Sequence, residues 1–149
     1  MPEQPKRPNI LLITTAQQRT DTLGCYGAAH MKTPVIDQLA KEGVRFDRAY
    51  CSSSVCTPSR ASLFTGVYPS RHGAWHVGTH VPEDIPMLSH RLSAAGYRTH
   101  YVGKAHFHSY PAPPDVSAES NKPSSRYPEW TGPYYGFEHV ELSTGHALY

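Results

Sequence analysis

The residues best suited to chemistry lie in the segment SSSVCTPSRASLFTG, residues 52–66, in which a thiol stands four positions before a guanidinium. Thr57 as cap and Pro58 at the first turn predict a helix that ends at the closing glycine. Its free amides and positive end favour an anion, and Arg60 lies one turn from Cys56. This arrangement suits a nucleophile that attacks a tetrahedral oxyanion such as sulfate or phosphate. The alternative is a buried cysteine before an ordinary helix with a surface arginine.

The surrounding elements predict how these residues are positioned. Strands and helices alternate along the chain, which is typical of an α/β fold with a mostly parallel sheet flanked by helices. In such folds functional groups gather beyond the carboxyl ends of strands, where Lys104 and His106 are expected. The predicted strands are residues 9–14, 44–50, 97–103 and 136–142, and the predicted helices are residues 33–43, 57–66 and 86–95.

Composition excludes several classes of function. Fourteen basic and twelve acidic residues leave a net charge of +2, too balanced for a nucleic-acid or anionic-membrane partner. The apolar run Ile10–Ile13 is too short for a secretion signal or a membrane helix. Cys51 and Cys56 are close enough in sequence to form a disulfide, but three cysteines without a pairing pattern favour a reduced, cytoplasmic chain.

Several segments together resemble the sulfatase family of the alkaline-phosphatase-like superfamily. CTPSR followed by LFTG is similar to the family signature, and LSAAGYRTHYVGKAH is similar to its second signature. RPNILLITTAQQRTDTLGCYG, TPVIDQLAKEGVRFDRAYCSS and GVYPSRHG resemble the other segments in the family's order. The resemblance implies the N-terminal part of an alkaline-phosphatase-like sandwich and a sulfate-ester substrate.

The resemblance also implies specific roles. The residue that matches Cys56 is oxidised to formylglycine, whose hydrated aldehyde attacks sulfur and later expels sulfate. Arg60 would hold and polarise this group, and Lys104 and His106 would contact the substrate anion or the diol. The aromatic residue usual between lysine and histidine is replaced by Ala105.

The expected metal loop departs from the family pattern. The resemblance implies a divalent cation, Ca²⁺ or else Mn²⁺ or Mg²⁺, held by Gln17 and by Cys56 as formylglycine. One branch of the family, which includes arylsulfatases and phosphonate monoester hydrolases, has an aspartate followed by a glutamine in this loop. The loop of this sequence is closest to that branch. Ala16 occupies the expected aspartate position and supplies no oxygen ligand, and we do not expect Asp21 to replace it.

Other histidines and cysteines are predicted to be non-catalytic. Histidines recur every four residues at His72, His76 and His80, but intervening glycines favour a loop lining the substrate side over a metal-binding helix face. His106 and His108 would point the same way if the segment were a strand. Cys25 and Tyr26 are expected to pack beside the metal loop.

The domain prediction is a single N-terminal part of a sulfatase catalytic domain over residues 1–149. Residues 7–108 form the matching core, and residues 109–149 form a proline-rich irregular segment with a truncated end. We therefore expect self-association, or a partner that completes the sheet. A non-catalytic sulfatase-like domain and a phosphonate or phosphate ester hydrolase are the alternatives to a sulfatase, and Ala16 and truncation predict impaired activity.

Overall fold

The computed structural model describes residues 7–109 and 130–143 and divides the chain into two compact units, Met1–Ala49 and Tyr50–Tyr149. The first unit contains two short 3-10 turns, Thr20–Thr22 and Gly24–Tyr26, and helix α1, Pro34–Glu42. The second contains helices α2 (Cys56–Thr65), α3 (Pro69–His72) and α4 (Leu88–Ala94), and strands β1 (His100–Gly103) and β2 (His139–Leu142). No helix among the described residues has the length and apolar character needed to cross a bilayer.

Helix α1 begins and ends where its sequence predicts. Thr33 precedes it, proline occupies the first turn, and the Gly43 amide closes it on the Leu39 carbonyl at 2.9 Å. The Thr33 hydroxyl does not cap its own helix but accepts a hydrogen bond from the Gly24 amide at 2.8 Å. Asp37 accepts a second bond from the Cys25 amide at 2.6 Å, so both side chains fix the preceding 3-10 turn on the helix.

The predicted strands over residues 9–14 and 44–50 are wrong. Both segments are irregular and exposed, and Leu11 and Val44 are 84% and 79% exposed. A strand exists only when a second strand satisfies its amides and carbonyls, and the described residues of the first unit contain no strand. Apolar character alone therefore did not produce a sheet in this unit.

The second unit contains the parallel sheet that the sequence predicts. Strand β1 pairs with β2 in parallel, with His100 opposite His139 and Gly103 opposite Leu142. The Ser143 amide extends the pairing by donating to the Gly103 carbonyl at 3.0 Å. This pair with its flanking helices confirms the α/β class and fixes the end of β1, from which Lys104 and His106 follow.

Helix α2 packs on this sheet through an aromatic core. The Phe64 ring meets those of Tyr101, Phe107 and Phe137 edge-on, with centroids 5.8, 5.2 and 5.9 Å away. Phe107 is fully buried, and Ala61 lies beside it in the same core. Aromatic pairs in such edge-to-face contact stabilise a core beyond the area that they bury. The core therefore fixes α2 against the segment that follows β1.

Two predicted helix starts are wrong by a few residues. Helix α2 begins at Cys56 with Val55 as its cap, so Thr57 and Pro58 lie inside the first turn. Proline is tolerated there because first-turn amides have no partner within the helix. Helix α4 begins at Leu88 instead of residue 86, with Met87 as its cap. The predicted ends hold, since Gly66 closes α2 in the left-handed region at φ 73°.

Candidate functional site

The site is built around the first residue of helix α2. Cys56 is half-buried, and its Sγ lies 3.1 Å from Nδ1 of His106. His106 is only 1% exposed and has a positive φ of 54°. A histidine held in this conformation is uncommon and clusters at functional sites. The tight turn after β1 thus places the His106 imidazole next to the Cys56 thiol, although the two residues are fifty positions apart in the sequence.

Arg60 connects the same helix to the end of β1. Its Nη1 donates to the Lys104 carbonyl at 2.6 Å and contacts the Tyr101 hydroxyl at 3.0 Å. The Tyr101 hydroxyl also donates to the Lys104 carbonyl at 2.6 Å. Charge-assisted bonds to a half-buried carbonyl are strong ones, so Arg60 holds the lysine backbone beside the helix. In the described part of the chain, Nε and Nη2 remain available for an anion.

All four residues predicted to be catalytic therefore lie together in the second unit. Cys56 contacts His106, and Arg60 one turn later contacts the Lys104 backbone. The amino end of α2 adds free amides and a positive potential at Cys56. The arrangement brings a sulfur atom, an imidazole and the Arg60 guanidinium close to the amino end of one helix. Such a set can bind an anion and transfer a proton at residue 56.

The prediction for His72 is wrong, and its structural role was missed. His72 is the last residue of α3 and is fully buried, so it does not line a substrate-facing loop. Its Nδ1 accepts the Ala74 amide at 3.1 Å, which places the proton of the neutral ring on Nε2, 3.0 Å from the Ser62 hydroxyl. Burial lowers the pKa of His72 below its usual 6.5, despite opposing backbone hydrogen bonds at Pro58 and His72.

Two further features near the site differ from the sequence predictions for His106, His108 and Thr57. His106 and His108 are not held on one strand face, because β1 ends at Gly103 and His106 adopts a left-handed turn. The Thr57 hydroxyl is fully buried and has no hydrogen-bond partner among the described residues.

Tyr101 was not identified as a site residue, although strand alternation places it and Gly103 on one face, next to the predicted lysine. All three cysteines are free.

A groove beside α2 does not contain the four residues. It has a volume of about 380 Å³ and lies on the helix face of Ser59 and Leu63, next to Tyr68 and Cys51. A groove of this size is adequate for a small ligand, but its wall carries hydroxyl, thiol and apolar groups without a cation. The chemistry at Cys56 therefore lies outside this groove.

The first unit does not supply a complete metal site. Ala16 and Gln17 are both exposed, and Gln17 has a positive φ of 58°. Asp21 forms an ion pair with Arg19, whose Nε lies 2.9 Å from Oδ1. Among residues 7–109 and 130–143, no three histidine, cysteine or acidic side chains are grouped to hold a metal ion. A hard cation prefers several anionic oxygens, so the residues present do not fit it.

The predicted packing role of Cys25 and Tyr26 agrees with their contacts. The Cys25 amide is bound by Asp37, and the Tyr26 hydroxyl donates to the Phe46 carbonyl at 2.8 Å. The Arg45 guanidinium lies 5.2 Å from the centre of the Tyr26 ring. These contacts are internal to the first unit and stabilise its turns.

Comparison with known proteins gives a consistent result. A family model described as Sulfatase matches residues 8–137. The Escherichia coli (strain K12) protein described as uncharacterized sulfatase YidJ is 39% identical over 130 residues, which cover 87% of this chain and 24% of that protein. The chain thus spans about a quarter of the length of this curated relative.

Solved structures agree with the sequence match. BT4656, solved in complex with its substrate D-glucosamine-2-N,6-O-disulfate, superposes with a TM-score of 0.74 at 30% identity, covering 95% of this chain and 24% of that chain. The phosphonate monoester hydrolase of Agrobacterium radiobacter superposes with a TM-score of 0.73 at 30% identity, covering 95% of this chain and 27% of that one. The chain therefore resembles sulfatases and a phosphonate monoester hydrolase in both sequence and fold, as predicted.

Proposed function

Because the chain belongs to the sulfatase family, we propose that this protein is a sulfuric ester hydrolase whose nucleophile derives from Cys56. The observation that carries the proposal is the 3.1 Å approach of His106 Nδ1 to Cys56 Sγ at the amino end of α2. Oxidation of the thiol to formylglycine would supply a hydrated aldehyde as the nucleophile. The sulfate ester of a small molecule, such as a sugar, is the proposed substrate.

The other residues have distinct proposed roles. His106 is near enough to residue 56 to accept or return a proton at its side chain. Arg60 Nε and Nη2 would bind the oxyanion while Nη1 holds the Lys104 backbone. The lysine side chain would add positive charge where negative charge develops during attack. The helix terminus supports the same charge through its free amides.

Intact mass and peptide mapping of Cys56 test the source of the nucleophile. Conversion to formylglycine lowers the mass by about 18 Da, because sulfur and two hydrogens are exchanged for oxygen. We expect the loss in protein from a host that carries the oxidising machinery, and none in Cys56→Ser. Any hydrolysis of an aryl sulfate, which Ala16 is expected to make slow, should follow the converted fraction. Turnover that survives Cys56→Ala unchanged would refute the assignment.

Ala16 is the specific observation that favours a second candidate, a non-catalytic sulfatase-like protein that binds an anion. An alanine offers no oxygen to a cation, so we expect weak metal binding and little or no turnover by the chain. Ala16→Asp should raise Ca²⁺ affinity in calorimetry, and Ala16→Asn, which adds a neutral oxygen, is the matched control. Equal affinities in all three proteins would refute the role of this position.

The phosphonate branch and the partner prediction are tested separately. The match to a phosphonate monoester hydrolase supports a comparison of aryl sulfate and phenyl phosphonate as substrates.

The exposed apolar segment Ile10–Ile13 supports self-association or a partner that completes the sheet. Sedimentation of wild type and of a Leu11→Lys variant should show less association in the variant. Identical monomeric profiles would argue against that prediction.

A further inference from the structure

The chain that follows α3 carries an exposed tryptophan that the proposed chemistry does not use. Trp75 is 66% exposed, whereas His72 and Ala74 just before it are fully buried. Burial alternates along residues 72–75, as it does in an extended chain, so the Trp75 side chain points away from the core that holds its neighbours. Tryptophan is highly buried on average, so an indole this open to solvent is informative about function.

Both ends of the segment that carries this tryptophan, the 73–81 loop, are fixed beside the candidate site. At its start, the buried His72 ring forms a hydrogen bond with the backbone of Pro58 in the first turn of α2. At its end, the Val81 amide donates to the Phe107 carbonyl at 2.8 Å. The proline lies two residues after the cysteine of the site, and the phenylalanine directly follows its histidine. The 73–81 loop therefore connects the two parts of the chain that form the site.

The Trp75 indole is held in place by the next residue. The indole and the His76 ring make a T-shaped contact, with centroids 4.1 Å apart and planes inclined by 78°. His76 Nδ1 accepts the Gly78 amide at 2.7 Å, and the Thr79 hydroxyl bonds the amide and the carbonyl of His76 at 3.2 and 2.6 Å. A Cβ at Gly78 would lie 2.5 Å from the His76 ring, so this arrangement needs a glycine. A surface fixed in this way binds a ligand at a lower entropic cost than a mobile one.

We propose that Trp75 stacks on the sugar ring of a sulfated pyranose whose sulfate group lies at residue 56, an inference that rests on the proposed sulfatase function. Ligand sites combine an aromatic surface with a few polar groups that fix the orientation of the ligand. In this protein the amino end of α2 and Arg60 supply the polar groups, and the 73–81 loop beside them supplies the aromatic surface. The residue would thus determine which alcohol the sulfate is attached to.

The open position of Trp75 favours a sugar ring over an aromatic alcohol. The face of an indole is negative and attracts the weakly positive C–H bonds that a pyranose presents on one side. The hydroxyl groups of the sugar can then remain in water. An aryl group gains most when both of its faces are buried in an apolar pocket, and an indole that is 66% exposed does not provide one.

NMR titration of the whole chain with two sulfate esters separates recognition of the ring from recognition of the anion. Glucose 6-sulfate has a pyranose ring, whereas methyl sulfate has the same charged group without a ring. We expect Trp75→Ala to weaken binding of glucose 6-sulfate about threefold to tenfold, the range of one aromatic contact, and to leave methyl sulfate unchanged. Trp75→Phe should lose less, because it retains an aromatic face. Tyr68→Ala removes a 74% exposed aromatic ring outside the loop and should affect neither ester.

A spectroscopic signature distinguishes stacking from an indirect effect on the fold. The ring current of the indole should move the C–H resonances of bound glucose 6-sulfate upfield in the wild type and not in Trp75→Ala. Gly78→Ala, which displaces the His76 ring, should also weaken binding of glucose 6-sulfate and leave methyl sulfate unchanged. Far-UV circular dichroism checks that the variants retain the wild-type structure.

The outcomes separate this proposal from the proposed function. Unchanged binding of glucose 6-sulfate in Trp75→Ala, or equal weakening of both esters, would overturn the role of Trp75 while the anion site at residue 56 stands. A wild-type chain that binds neither ester would overturn the proposed function and the role of Trp75 together.

Discussion

Acid should destabilise the second unit through the buried imidazole of His72. The ring is fully buried, with Nδ1 accepting the Ala74 amide and Nε2 facing the Ser62 hydroxyl. Burial disfavours the charged form and lowers the pKa of His72 below the 6.5 of an unfolded chain. Protonation also forces Nδ1 to become a donor towards a backbone amide that already donates. Protonation of His72 is therefore less favourable in the folded protein than in the unfolded chain.

The sign and the limit of the effect follow from proton linkage. Because the folded pKa is below the unfolded one, the unfolded chain binds more protons once the pH falls below about 6.5. The free energy of unfolding then decreases with falling pH, by at most about 1.4 kcal/mol per pH unit for one group. The loss stops when the pH passes below the folded pKa. Above about pH 7 the contribution of His72 is constant.

Urea unfolding at pH 7.5, 6.5 and 5.5 measures this contribution. Both tryptophans, Trp75 and Trp130, lie in the second unit, so their fluorescence reports its transition. His72→Asn is the matched variant, since its side-chain oxygen keeps an acceptor for the Ala74 amide but cannot titrate. It should lose about 1–3 kcal/mol at pH 7.5, mainly from the lost contact with Ser62.

The difference in free energy of unfolding between the wild type and His72→Asn separates the effect of His72 from that of the other histidines. We expect the wild type to lose stability faster than His72→Asn between pH 6.5 and 5.5, so that the gap between them narrows. His30→Gln, at an exposed position, should remain parallel to the wild type. Parallel curves for the wild type and His72→Asn would refute the argument that this ring is held neutral.

Two further substitutions test how α2 is fixed on the sheet. Phe64→Ala should lower the free energy of unfolding by about 3–5 kcal/mol, because it empties the centre of the aromatic core, whereas Leu63→Ala on the 51% exposed face should cost much less. Urea unfolding measures both, and equal costs would contradict the assigned core. Arg60→Lys should lose about 1.5–3 kcal/mol, because an ammonium cannot reproduce the bonds to the Lys104 carbonyl and Tyr101 hydroxyl. A double-mutant cycle with Tyr101→Phe should show coupling, and strict additivity would mean that the two side chains act independently.

Features set by local chemistry were predictable from the sequence. Helix α1 follows from proline in its first turn and from Gly43, whose amide closes its last turn, although the predicted cap by the Thr33 hydroxyl does not form. The end of α2 follows from Gly66, whose positive φ suits a residue without a side chain. The start of α2 was wrong by one or two residues, because Thr57 and Pro58 also fit inside a first turn.

Features set by distant partners were less predictable. Residues 9–14 have the apolar character of a buried strand, yet sheet formation depends on a neighbour that sequence character cannot specify. His72 was predicted to lie in a loop lining the substrate side, and only the packing of α3 against α2 shows that it is buried. The four residues of the candidate site were named from motifs, but the role of Tyr101 depends on a hydrogen bond between residues 41 positions apart.

The arrangement of the candidate site depends on the pairing of β1 with β2 as much as on helix α2. Cys56 and Arg60 are placed by α2, whereas Lys104 and His106 are placed by the chain that leaves β1 at Gly103. The Gly103 carbonyl is itself fixed by the Ser143 amide beyond β2. A change that separates β1 from β2 should therefore move the imidazole away from Cys56 without altering any residue of the motif. The geometry around Cys56 therefore depends on the pairing of β1 with β2.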